Sequence, residues 1–259
     1  MDRSAHAVLR VCLLLGLPLA CGPALAAQVP DTTGHGWYAF RAGLLRLHAV
    51  DEAASPLRYA GTERRLELRV GRAGATGRWE AALVLRRAAL TRTTAGTGAA
   101  DARRIAVEGG WTRRVLGSAG SALALQVGAG AQAWATLRDQ KYAGETRQFP
   151  GWLLDIGPRA ALAHTRARDA VAATLELPLL AYGRQAYGAE VEAPWRLDAA
   201  GRGLRAGRLS LDWWHDLGPR WRGQIGCRAE ALRLGETPVL AETARGIVVG
   251  LAYHPGRQP

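Results

Sequence analysis

The densest cluster of side chains able to do acid–base chemistry is Asp212-Trp213-Trp214-His215-Asp216, two carboxylates around one imidazole. Such a group activates water when its members share a rim open to substrate. A nucleophile–base pair would instead have to bring Ser55, Ser118, Ser121 or Ser210 against His35, His48, His164, His215 or His254. No histidine is followed two residues later by serine, and the chain contains no asparagine. Beyond the N-terminal region Cys227 is the sole cysteine, and no histidine pair has ligand spacing, so no metal and no cofactor is expected. Gly128-Ala129-Gly130 lacks the strand-to-helix setting of a phosphate loop and reads as room for curvature.

What the chain offers in quantity is ionic chemistry. Arg65, Glu67, Arg69, Glu80, Arg86, Arg104, Glu108, Arg114, Asp155, Arg159, Glu176, Asp212, Arg222, Arg228 and Glu230, joined by Gln126 and Gln132, fall on the polar faces of alternating segments. Opposite signs are mixed among them, which suits pairing across a confined interior. Net charge is +12; residues 1–26 contribute +1 (Arg3 and Arg10 against Asp2), leaving +11 for the remainder. Lys141 is the one lysine, so the surplus is arginine, whose planar fork suits carboxylates and phosphates.

Strands must position these ions. Arg-Leu-Glu-Leu-Arg-Val at 65–70 puts Leu66, Leu68 and Val70 on one face and the ions on the other. The same period of two recurs at 79–86, 104–114, 122–137, 170–181, 209–214, 221–230 and 247–253, and less regularly at 37–47 and 152–165. Pro178 interrupts one of these runs and cannot donate to a ladder. The segments are separated by short links at 72–77, 117–120, 167–169 and 217–219 and by longer ones near 49–62, 92–102, 139–150, 188–203 and 235–242. Short turns on one side and long loops on the other are features of membrane barrels.

Arg3 and Arg10 precede an apolar run from Val11 to about Ala20 and an Ala24-Leu25-Ala26 site, which reads as a cleaved signal peptide over 1–26. Leu19-Ala20-Cys21-Gly22 is the competing lipid-attachment reading. Outside residues 1–26 no run of 18 apolar residues exists, so a membrane would be crossed by strands. Trp79, Trp134, Trp152, Trp213, Trp221 and Tyr253 fall near strand ends, as do Trp37, Tyr38, Tyr182 and Tyr187, where interfacial girdles are expected.

In this pattern the chain resembles the small bacterial outer-membrane β-barrels of about ten strands. The resemblance covers roughly 37–254 and includes an alternating last strand, Ile247, Val249, Leu251 and Tyr253, although His254 to Pro259 follow it where such chains ordinarily end in an aromatic residue. It implies an all-β, closed antiparallel up-and-down transmembrane barrel, with eight or twelve strands as the alternatives. It also implies a periplasmic segment at 27–36, a tail at 255–259, location in a Gram-negative outer membrane, and contact with lipopolysaccharide and the barrel-assembly machinery. Nucleic acid is excluded by export. The loop at 51–62, with Pro56, Arg58 and Tyr59, is a candidate contact for lipid phosphates.

A ten-strand interior lies near the size that side chains fill, so a plugged structural or interaction barrel without enzymatic activity is expected. A narrow anion-preferring channel and a lipid or peptide hydrolase are the alternatives. Omptin-type proteolysis needs acids and histidine at the long-loop rim, whereas 212–216 falls beside the short link at 217–219.

Overall fold

Period-two alternation commits nearly the whole chain to strands. The computed structural model describes residues 36–255 apart from 52–54, 75, 94–97, 118–120, 143–144, 187–191, 199–203 and 236–239. The expected signal peptide, most of the 27–36 segment, Tyr187 and residues 256–259 lie outside the described residues. Within them run β1 (Gly36–Asp51), β2 (Ser55–Ala73), β3 (Gly77–Arg92), β4 (Ala99–Leu116), β5 (Leu123–Tyr142), β6 (Glu145–Arg166), β7 (Asp169–Glu176), β8 (Leu180–Ala186), β9 (Glu192–Asp198), β10 (Leu204–Asp216), β11 (Trp221–Leu234) and β12 (Leu240–Tyr253).

Each strand from β1 to β6 pairs antiparallel with the next, and β12 returns to pair with β1. Two wall strands come in pieces. β7 pairs with one half of β6 and β8 with the other, while β10 and β9 pair with β7 and β8 in turn. The wall is therefore a closed antiparallel barrel of ten strands. Gly36 and Tyr253 lie at the same end, here termed proximal.

The piecewise strand explains Pro178. β10 pairs with β7 as far as Glu176, and β9 pairs with β8 from Leu180, so 177–179 have no ladder partner on that side. Leu177 and Leu179 still donate to Pro158 and Ile156 of β6. Pro178 thus occupies a position where no N–H is required. Leu179 and Leu180 both face outward, so one extra residue shifts the alternation, as a bulge does.

The distal connections differ from expectation. Residues 49–62 and 139–150, expected as loops, are largely strand: β1 continues to Asp51, β2 begins at Ser55, and β5 and β6 are separated by 143–144. The asymmetry lies in how far the strands reach rather than in the links. They extend distally because the alternation continues with inverted polarity. In β1, Tyr38, Phe40 and Leu44 face outward and Arg41 inward; above them Arg46 and His48 face outward, and Leu45, Leu47 and Ala49 inward. Leu44 is 62% exposed and its neighbour Leu45 1%. β3 does the same, from Leu83 and Leu85 outward with Glu80 and Arg86 inward, to Arg87 outward with Ala88 and Leu90 inward.

The doublets Leu44-Leu45, Arg64-Arg65, Arg86-Arg87 and Arg103-Arg104 mark this seam, each placing one residue inside and one outside. Below it the wall is apolar outside and ionic inside, as hydrocarbon requires. Two apolar clusters occupy the interior from here upward: Val84, Ala106, Trp134, Leu153, Leu204, Leu234 and Leu240 with neighbours straddle the seam, and Leu45, Leu47, Tyr59 and Leu90 with theirs lie above it. A small cluster of Trp37, Ala39 and Ala252 lies near the proximal end.

Three aromatic assignments change accordingly. Trp134, expected at an interface, is 5% exposed inside the barrel, because its position on β5 shares the inward parity of Gln132. Trp37 and Tyr59 are likewise interior, Tyr59 on β2 rather than on a loop. Trp79, Trp152, Trp213 and Trp221 face outward, and Tyr253 packs its ring 4.9 Å from Trp221.

Candidate functional site: the ionic lumen

All fifteen sequence-selected ions face the interior below or at the seam, because each shares the inward parity of its strand. Arg65, 1% exposed, lies at the middle of them. Its Nε donates to Glu67 at 2.6 Å, its Nη2 to Glu108 at 2.8 Å, and its Nη1 to Glu230. Arg69 donates to Glu67 at 2.7 Å, Glu108 at 3.1 Å and Glu80 at 3.2 Å. Arg86 bridges Glu63 and Glu230, both at 2.8 Å. Carboxylates are thereby shared between guanidiniums from strands far apart in sequence, the condition under which buried charge is tolerated.

The far wall joins through Arg159, which reaches Glu80 and lies 3.3 Å from Glu176, and through Arg208, which binds Asp155 and lies 3.4 Å from Glu176. Arg104 pairs with Glu242 at 2.7 Å and stacks on Trp134 with its guanidinium carbon 4.1 Å from the ring centre. That stack accounts for an interior tryptophan: it covers the face of an ion at the seam. Asp212 accepts from Gln224 at 2.6 Å and lies 3.8 Å from Arg228. Gln132 donates to Glu108 at 3.0 Å, and Gln126 accepts from Thr112 at 2.8 Å. Arg222 binds Asp216 at the proximal rim. Arg114 is not drawn in; its Nε and Nη1 are buried without a hydrogen-bond partner.

Inward glycines make the space. A Cβ at Gly110 would collide with the Arg159 guanidinium, and one at Gly250 would come 2.8 Å from Cγ of Arg41. Sequence reading passed over Arg41, Glu63, Arg138, Arg208 and Glu242, all of them in the network. Glu63 and Arg208 stand two residues before Arg65 and Ser210, the first inward residues of segments already read as strand, so extending the parity by one step finds them. Arg138 and Glu242 keep the inward parity of Gln132 and Val248, but they stand beyond the segments read as strand, at or in stretches expected to be loop.

His215 faces outward at the proximal rim, its Nδ1 2.9 Å from Asp169, while Asp212 and Asp216 are held by arginines or glutamine inside. The three do not form one centre. Among the described residues no group of three metal-ligating side chains occurs.

This geometry, with hydrocarbon-compatible side chains outside and paired ions within, defines a transmembrane β-barrel of the bacterial outer-membrane type. The fold is similar to that of the outer membrane protease OmpT from Escherichia coli, at 8% identity over 88% of this chain and 98% of that one, with a TM-score of 0.58. Weaker likenesses join it to the translocator domain of the autotransporter NalP from Neisseria meningitidis (12% identity, 96% of each chain, TM-score 0.44) and to Neisserial surface protein A (11%, 83% of this chain and 96% of that one, 0.39). By sequence the chain matches no protein-family model and no curated protein.

Proposed function

We propose that the chain is an exported, Gram-negative outer-membrane barrel with a structural or interaction role, its bore closed by its own side chains. One observation carries this: the ionic layer is stacked beneath an apolar one, and two cavities found among the described residues measure about 100 Å³ and about 30 Å³. Such volumes hold a few waters rather than a continuous file. The larger cavity lies among Arg69, Glu80, Arg159 and Glu176, and above it Leu153, Leu204 and Leu234 fill the interior. The arrangement favours a plug over an anion-preferring channel. Among the described inward residues at the distal end, Glu63 and Glu242 are held by Arg86 and by Arg104 and Arg138 beside Leu47, Leu90 and Leu240, with no histidine next to them to complete a hydrolase's acid–base pair.

The test is single-channel recording in planar bilayers with the full chain. The plugged barrel gives no steady openings; reproducible anion-selective steps from the unmodified protein would replace this reading with the channel. Recognition by the assembly machinery through β12, and cleavage after Ala26, belong to the same reading and are checked by membrane fractionation and the mass of the mature chain.

A further inference from the structure

Outward-facing arginines collect at the seam. Arg46, Arg64, Arg87, Arg103, Arg205 and Arg233 are all exposed. Arg64 stands directly across from Arg87, Arg87 from Arg103, and Arg205 from Arg233. Directly opposed side chains have Cβ atoms roughly 5 Å apart, and like charges so placed destabilise a sheet unless an anion is shared between them. Among the described residues the carboxylates reaching these six are Asp101, 3.0 Å from Arg87 and 3.3 Å from Arg103, and Asp139, 3.9 Å from Arg103. Arg46 and Arg64 have neither.

Two residues toward the proximal end of each, Leu44, Leu66, Leu85 and Ile105 are exposed on the apolar belt. A second regularity fixes the level. Tyr38 and Arg46, Trp79 and Arg87, Trp111 and Arg103, Trp213 and Arg205, and Tyr253 and Arg245 are each eight residues apart on their strands. Aromatic rings therefore hold one edge of the belt and guanidiniums the other. Across the barrel the distal edge carries the Trp152–Tyr182 ring pair instead, 5.4 Å between centres.

We infer that the outer face of β1–β4 at the seam is a docking surface for a phosphorylated lipid of the outer leaflet. Arg46, Arg64, Arg87 and Arg103 grip phosphate oxygens through paired N–H donors, while acyl chains lie along Leu44, Leu66, Leu85 and Ile105. The inference deepens the interaction role proposed above by naming a partner; it rests on the distal end facing outward and holds whether or not the lumen conducts, so a channel recording and a lipid titration fail separately.

The experiment titrates the detergent-solubilised full chain with bisphosphorylated lipid A, with the same lipid stripped of phosphate, and with inorganic phosphate, following bound lipid by native mass spectrometry. R46Q/R64Q/R87Q/R103Q is compared with R113Q/R166Q/R168Q, three exposed arginines near the proximal end. The native chain and the proximal variant bind the phosphorylated lipid alike. The seam variant binds on the order of 100-fold more weakly after salt screening, from a factor of roughly 5 per guanidinium. Removing the lipid's phosphates produces the same loss. Equal binding by the seam variant, or equal binding of the stripped lipid, overturns the inference; displacement of the lipid by equimolar inorganic phosphate overturns the lipid assignment in favour of a free-anion site. Heat-modifiable gel migration reports folding, and should the quadruple variant not fold, R64Q and R87Q singly carry the same comparison at about 5-fold each.

Discussion

The two storeys of the barrel solve opposite problems with the same strands. Below the seam the wall is bathed in hydrocarbon and the interior is a lattice of guanidiniums and carboxylates around Arg65. Above it the exterior carries arginines and the interior is mainly Leu and Ala, with Glu63 and the Arg138–Glu242 pair among them. Each interior is the reverse of its own exterior. The hydrophobic effect needs water on the far side of the wall, so only the distal storey can be held together by an oily centre. In the proximal storey an apolar interior would give no preference for inside over outside; paired ions do, because they cannot be turned toward lipid.

Exchanging the chemistry of the storeys breaks this comparison, most severely by putting an unpartnered ion in the upper one. Leu234, 0% exposed, is packed in an apolar cluster opposite Leu204 and Leu240. Leu234→Asp leaves a buried charge unpaired, a cost of several kcal/mol, and is expected to abolish the folded, heat-modifiable band. Next comes the opposite deletion. Arg65→Ala strands Glu67, Glu108 and Glu230 inside and is expected to lower stability in urea titrations of the detergent-folded protein by about 3–5 kcal/mol. If it costs under 1 kcal/mol, the ionic layer is not what holds the lower storey.

The outer surface sharpens the comparison with smaller effects. Leu68→Arg, in the belt, is expected to cost about 2–4 kcal/mol in the same titration performed in lipid vesicles. Thr62→Arg, outward on the same strand beyond the seam, should change stability by less than about 0.5 kcal/mol. Equal costs at both positions would mean the belt does not end at Arg64.

Most of the lower storey can be read from the sequence. There a single period of two, with ions on one face, fixes strand, face and closure together, so 65–70 and 79–86 need no coordinates. The upper storey was opaque for the same reason: its apolar residues move to the other face. A reader following Leu44 as lipid-facing must change parity at Leu45, and nothing but the doublet announces the change. Trp134 was misplaced because tryptophan near a strand end is ambiguous until the parity of Gln132 is carried through to it. The partners inside the lumen were hidden in a further way. Arg65 and Glu230 are 165 residues apart and meet only because of the stagger around the closed wall, which no local pattern encodes.

The eight-residue interval between aromatic ring and arginine has a consequence for where this protein is comfortable. At roughly 3.3 Å per residue and a tilt of about 40°, it measures a hydrocarbon slab on the order of 20 Å. Five strands repeat that gauge, so the molecule is matched to a thin bilayer, and a thicker one would have to pinch around it or pull guanidiniums out of the headgroups.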